Sequence, residues 1–285
     1  MKKYLILSLS IILTSSCNRG TDPGVYSADE MKDDVDEQED AVLEVENDAP
    51  DTQKDHGITL SPYQNFEEFP EAALALKSPK DRQVIENPSV PFEFEVSNYE
   101  LKAQSPEAGD NQLANSQKGQ HIHLIVNNAP YSAHYQSQFT KKFDQGTHYA
   151  IAFLSRSYHL SVKNPKAYQV FQFTVEEATG EDPKIYDLDE ACLFYSRPKG
   201  TYEGEATKRV LLDFYLHNAE LKPDGYSVLA IVNDSATFEI DKWQPYVLEG
   251  LPMGENTISL ELVDAKGGKV NPEINRIERT FTLKP

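Results

Sequence analysis

The chain has 285 residues, 46 acidic against 27 basic, for a formal net charge of −19. That balance excludes nucleic acid as a default partner, because affinity for a polyphosphate rests on Lys and Arg neutralising it. Hydrophobic residues make up 39%, and the one long apolar run lies at the N-terminus. This excludes a transmembrane bundle and leaves room for about two domains.

Lys2 and Lys3 precede an apolar run from Leu5 to Leu13, followed by Thr14, Ser15, Ser16 and Cys17. A basic start, an apolar stretch too short to span a bilayer and a small-residue end make the pattern of a secretory signal peptide. Leu13-Thr14-Ser15-Ser16-Cys17 resembles the lipobox of bacterial lipoproteins, with Thr14 where Leu is commoner. The resemblance implies cleavage before Cys17 and lipidation of its thiol and amine. Residues 1–17 are therefore expected to export the protein to the cell envelope, at the outer membrane, with membrane contact only through the lipid anchor. Cys192 is the only other cysteine. Its setting, Ala191-Cys192-Leu193-Phe194-Tyr195, predicts a buried, inert thiol.

Residues 18–57 carry 14 Asp or Glu against three Lys or Arg, a net of −11. Their apolar residues show no period. Such a segment buries too little apolar surface to offset its ordering entropy, which predicts a disordered acidic tether.

Beyond residue 58 the chain alternates. Phe92, Phe94 and Val96 share a face, as do Ile122, Leu124 and Val126, and Ala150, Ala152 and Leu154. Short alternating runs between turn residues predict an all-β chain. An internal repeat divides it. Phe94-Glu95-Val96-Ser97-Asn98-Tyr99-Glu100-Leu101-Lys102 matches Phe214-Tyr215-Leu216-His217-Asn218-Ala219-Glu220-Leu221-Lys222, and Ile122 to Asn128 matches Val228 to Asp234. The strands after Gly146 and Gly254 also match, as do Phe171 to Val175 and Arg279 to Leu283. Even the openings agree, Ser78-Pro79-Lys80 against Ser196-Arg197-Pro198-Lys199. The expectation is two tandem immunoglobulin-like β-sandwiches, 58–177 and 184–285, joined at Gly180-Glu181-Asp182-Pro183. Each should own its core, and 184–285 should fold alone.

The copies differ where function would be grafted on a shared scaffold. Lys102 to His121 encloses 18 residues, against four between Lys222 and Ser227. The next strand opens His121-Ile122-His123, where the second copy has Ser227-Val228-Leu229. A later strand ends Leu154-Ser155-Arg156-Ser157-Tyr158-His159, where the second copy has Leu262-Val263-Asp264-Ala265-Lys266-Gly267. In an immunoglobulin-like sandwich these three places converge on one end. His121 and His123 both point away from Ile122 and Leu124. With His159 they offer three imidazoles to Zn or Cu. Arg156, with Tyr158, could instead clamp an anionic ligand or partner. The plain alternative is a polar strand face with solvated histidines. His134 follows the Asn128-Ala129-Pro130-Tyr131 turn, and His148 belongs to the far end of its strand.

Gly119-Gln120-His121-Ile122-His123-Leu124-Ile125-Val126-Asn127-Asn128-Ala129-Pro130-Tyr131, with Phe153 to His159 downstream, resembles a family of uncharacterised Bacteroidota cell-envelope lipoproteins. The resemblance covers most of 60–285 and implies an envelope location and a tandem sandwich fold. Three functions compete. One is a metal-binding module using His121, His123 and His159. Another docks a small ligand or envelope protein on Arg156 and Tyr158 without metal. The third is an enzyme with a catalytic metal. The chain has no G-x-S-x-G elbow, P-loop or C-x-x-C, and no carboxylate pair stands out, so no residue is assigned as catalytic.

Overall fold

Apolar residues alternating with polar ones fold here as short paired strands, one side of each turned inward. The computed structural model describes residues 51–176 and 184–285. The expected signal peptide, Cys17, the tether before residue 51 and the joint at Gly180 lie outside the described residues.

A hairpin of β1 (Gln53–Asp55) and β2 (Ile58–Pro62) comes first. The first copy contributes β3 (Ala73–Ser78), β4 (Gln83–Ile85), β5 (Ser89–Ser97), β6 (His121–Val126), β7 (Ser132–His134), β8 (Gln138–Lys142), β9 (Gly146–Ser155) and β10 (Tyr168–Val175). The second contributes β11 (Cys192–Arg197), β12 (Gly200–Glu203), β13 (Val210–His217), β14 (Ser227–Val232), β15 (Ala236–Ile240), β16 (Tyr246–Glu249), β17 (Gly254–Val263) and β18 (Arg276–Lys284).

The sheets repeat strand for strand. β3-β5-β8 faces β4-β10-β9-β6-β7 in the first sandwich. In the second, β11-β13-β16 faces β12-β18-β17-β14-β15, and β16 is extended by β2 and β1. Even the parallel pairs correspond, β4 with β10 and β12 with β18. The aligned hairpin turns do too. Asn127 and Asn128 lie at φ 52° and 51°, and Asn233 and Asp234 at φ 52° and 53°. Positive φ at both central residues fits the right-handed twist of the flanking strands. The inner faces form two cores, one around Phe92, Leu124, Ala152 and Phe173, the other around Phe214, Val228, Leu260 and Phe281. The tandem immunoglobulin-like architecture is thus as the repeat implies.

Two boundaries differ from the sequence reading. The first concerns 51–62, assigned above partly to the tether and partly to the first sandwich. β2 pairs with β16, placing Leu60 opposite Leu248, and Ile58 and Leu60 enter the second core. β1 is stitched on by side chains. Gln53 Nε2 donates to Glu239 O, Gln53 Oε1 accepts from Glu239 N–H, and Asp55 accepts from Thr237 N–H. The second sandwich therefore takes its edge strands from 53–62, ahead of the first sandwich in the chain.

The second concerns independence. The outer face of β6 and β9 presents Ile125, Tyr149, Ile151 and Phe153 to Cys192, Phe194 and Tyr215 of the second copy. A further apolar patch joins Tyr158 and Leu160 to Leu211 and Val247. Asn128 donates to Leu193 O and Ile274 O and accepts from Tyr195 N–H. Lys163 of the first copy meets Asp213 of the second at 2.7 Å, and Asp213 is 0% exposed. Residues 51–176 and 184–285 accordingly belong to one compact unit. Cys192 is sealed in this interface, where burial pushes its thiol up to about 12, the inert state expected of it.

Candidate metal centre

β6 runs antiparallel to β9, with His121 opposite Ser155 and His123 opposite Phe153. Directly opposed residues face the same side of a sheet, so both histidines lie on the face that meets the second sandwich. The solvated strand face is therefore corrected: His121 and His123 are each 0% exposed. On the other flank of β6, β7 sets Ala133 opposite His123. Tyr131 precedes Ala133 by two positions and shares its side. The Tyr131 ring stacks on the His123 imidazole, with centroids 3.5 Å apart and planes at 14°.

His159 arrives from the turn after β9. Its N–H donates to Arg156 O, and Arg156 N–H donates to Leu160 O, each at 2.9 Å. His159 takes φ 70°, a left-handed conformation that His tolerates better than most residues. This folds its ring back over the start of β6.

The result is three imidazole nitrogens within 4.8 Å of one another. His121 Nε2 is 2.8 Å from His123 Nε2 and 3.3 Å from His159 Nδ1. Nitrogens about 2.0–2.1 Å from a tetrahedral zinc stand about 3.3 Å apart; the His121–His159 separation has that length, and the shorter His121–His123 one is a hydrogen bond between the two rings. The outer nitrogens have partners as well. His121 Nδ1 lies 2.8 Å from Gly119 O, and His123 Nδ1 lies 3.5 Å from Ser196 Oγ. An Nδ1–H donated to the carbonyl leaves the Nε2 lone pair facing inward, the orientation of a ligating imidazole.

The inserted loop supplies that carbonyl. Gly119 sits at φ 81°, and a Cβ there would stand 2.2 Å from Lys102 O. Only glycine brings the loop so close to β6. The loop is fastened to the 156–159 turn by Ser116 N–H donating to Ser157 O at 2.9 Å.

The electrostatics keep the imidazoles neutral. Burial pulls His121 down to about 4, against the hydrogen bond to Gly119, and Arg197 and Lys199 push it the same way as burial. Burial also holds His123 and His159 well below the usual imidazole range, reinforced by neighbouring histidines and by the same two cations. Lys199 itself is pulled down to about 8, by burial and then by Arg197. Burial raises the Tyr131 phenol, and Arg197 opposes it.

The three predicted metal ligands thus come together, whereas Arg156 and Tyr158 do not join them. Alternation along β9 sends Phe153 and Ser155 to the histidine face and Leu154 and Arg156 to the other. Arg156 lies between the Phe66 and Phe69 rings and donates to Glu67 O and Ser161 O, so its donors are spent on backbone. Tyr158 packs on Tyr63 and donates to Glu107 Oε2 at 3.3 Å. His134 stacks on Phe139, and His148 bonds Asn127 and Asp144 O at the far end of β9.

Sequence reasoning missed Tyr131, Ser196, Arg197 and Lys199 as neighbours of the site. A signal existed: Ser196-Arg197-Pro198-Lys199 has an arginine that its counterpart Ser78-Pro79-Lys80 lacks.

No protein-family model and no curated protein matches the chain. Among solved structures it is similar to the fibronectin(III)-like modules of Clostridium thermocellum CbhA, at 10% identity and TM-score 0.26, over 74% of this chain and 94% of that one. It is similar to the two tandem V-type regions of VCBP3, a v-region-containing chitin binding protein, at 8% identity and TM-score 0.22, over 75% of this chain and 100% of that one. It is also similar to Bacteroides ovatus SGBP-B in complex with a mixed-linkage heptasaccharide, at 9% identity and TM-score 0.24, over 74% of this chain and 70% of that one.

Proposed function

We propose that the protein is an exported, lipid-anchored envelope protein whose first sandwich binds a transition metal, Zn or Cu, on His121, His123 and His159. The observation that carries this is the set of three imidazole nitrogens within 4.8 Å. Neutral imidazoles are the ligating form, and burial keeps these three neutral. Two have their outer nitrogens held by Gly119 O and Ser196 Oγ, which is how proteins orient ligating histidines.

The test is elemental analysis and titration calorimetry with Zn and Cu on residues 51–285 purified without a His tag. About one equivalent should bind. His123→Ala and His159→Ala should each weaken binding by more than the roughly 10–100-fold that outer-shell changes cost, and His217→Ala should leave it unchanged. Equal binding by wild type and both variants would remove the histidines as ligands.

The anchor rests on the Leu13–Cys17 pattern. Cys17→Ser should leave an unprocessed precursor or release soluble protein. Wild-type processing together with wild-type membrane retention would rule the lipid anchor out.

A further inference from the structure

Arg279 stands where a core residue belongs. Along β18, Ile277 and Phe281 turn into the second core, and Arg279 lies between them on the same side, 6% exposed. Its counterpart in the first copy is Phe171, which fills the first core. Arg197, 7% exposed, is the residue that Ser196-Arg197-Pro198-Lys199 has and Ser78-Pro79-Lys80 lacks. The second sandwich has thus taken two cations inside, at places where the first has an aromatic ring and no residue at all.

The two meet at the joint with the first copy. Arg279 donates from Nη1 to Ser196 O and from Nη2 to Asn128 O and Ala129 O, and its guanidinium lies 4.6 Å from the Tyr195 ring. Arg197 donates from Nη1 to the Tyr202 hydroxyl and lies 5.3 Å from the Tyr131 ring. Lys199, half-buried at the rim, donates to Tyr131 O at 2.7 Å. Arg197 acts on both Arg279 and Lys199, and Arg279 acts on Lys199, so the three positive charges are neighbours. Their partners are phenols and carbonyls, and none of the three pairs with a carboxylate among the described residues. Buried charge without a counter-charge is costly. Three buried donors are also unmatched among the described residues: Arg197 Nε, Arg279 Nε and the hydroxyl of Tyr195. Buried donors that lack an acceptor call for one from outside the protein.

We propose that Arg197, Arg279 and Lys199 bind a small oxoanion, of which inorganic phosphate is the simplest. Guanidinium forks match the paired oxygens of such an ion, and a lysine adds a point charge. Burial of both arginines restricts the ligand to an ion of a few atoms and excludes a polyanionic chain. Because Arg279 and Lys199 reach back to Asn128, Ala129 and Tyr131, the ion belongs to the mated pair of sandwiches and not to either alone. The same ion shields His121, His123 and His159 from Arg197 and Lys199, which act on all three. That consequence rests on the metal reading; the anion site does not.

Titration calorimetry and thermal melts with sodium phosphate test this, against sodium chloride at equal ionic strength, on metal-free 51–285 dialysed free of chelator. Wild type should bind about one equivalent with a Kd of about 1 mM or tighter, and its Tm should rise with phosphate. A chain of net charge −19 repels anions in general, so saturable binding marks a local site. Arg197→Gln should weaken binding by about tenfold or more. Lys199→Gln should weaken it as well, and its half-exposed position keeps the test open if Arg197→Gln does not fold. Lys208→Gln, at an exposed lysine paired with Glu205, should bind as wild type does. Neither saturable heat nor a rise in Tm from wild type overturns the proposal, and that measurement needs no variant to fold. Equal binding by wild type and the cluster variants overturns it too. Phosphate binding by a protein that takes up no Zn or Cu upholds the anion site and fails only the metal reading.

Discussion

Residues 184–285 alone should remain unfolded by circular dichroism and one-dimensional NMR, under conditions in which 51–285 folds. The fragment loses β2 and with it Ile58 and Leu60 from its core. Full burial of such side chains contributes about 1.5–3 kcal/mol each. The cut also bares Cys192, Phe194, Tyr215, Leu211 and Val247, which the first sandwich covers. It leaves Asp213 without Lys163. Breaking one side of a buried pair costs about 3–5 kcal/mol where the remaining charge stays buried. Against a usual total of about 5–15 kcal/mol, these losses are enough to unfold the fragment. A dispersed NMR spectrum from 184–285 would show that each sandwich stands alone after all.

This result runs against the simplest reading of the repeat, and the reasons are local. Alternation in Phe92-Glu93-Phe94-Glu95 names an inner face because its partner face is acidic and exposed. In β9 the same logic picks out Ala150, Ala152 and Leu154, but the intervening Tyr149, Ile151 and Phe153 are apolar as well. Both sets being apolar is the mark of a strand covered on both sides, and reading only one set left a solvated histidine face open as an alternative. The convergence of His121, His123 and His159 was legible, since it needs only strand order. Arg156 was misplaced because strand parity, carried one residue past Ser155, sends it to the opposite face. The β1–β2 hairpin had the weakest signal. Gln53 and Asp55 are held by bonds to the backbone of β15, and no hydrophobic period announces such bonds.

Acid should destabilise the metal-free protein steeply between pH 6.5 and about 4. Unfolded histidines titrate near 6.5, whereas His121 in the folded protein titrates at about 4, and His123 and His159 lie well below their usual range. Within that window the unfolded chain takes up protons that the folded chain refuses, so stability falls as pH falls. Above pH 6.5 the histidines are neutral in both states and the contribution is fully present. At about 1.4 kcal/mol for each tenfold, the fall from 6.5 to about 4 is worth about 3 kcal/mol for His121 alone. His123 and His159 add in the same direction.

Denaturant midpoints at pH 7.5, 6, 5 and 4 in the presence of chelator would measure this. His121→Ala with His123→Ala should flatten the profile, at the cost of a lower plateau from the cavity left. Bound Zn should move the fall to lower pH, since protons and metal compete for the same lone pairs. A wild-type profile that stays flat between pH 6.5 and 4 would contradict imidazoles held neutral by burial.

The mating of the two sandwiches also limits how far such an array can grow. The contact is head to tail: the β6–β9 face of the first copy meets the β11–β13 face of the second. A contact of that kind propagates without end unless the outermost faces refuse a further partner. Here they do. Where the first copy offers Tyr149, Ile151 and Phe153, the second has Thr257, Ser259 and Glu261. Where the second offers Tyr215, the first has an exposed Glu95 paired with Lys77. Each copy caps the other, and the pair is self-limiting because its two outer faces differ from the mated ones.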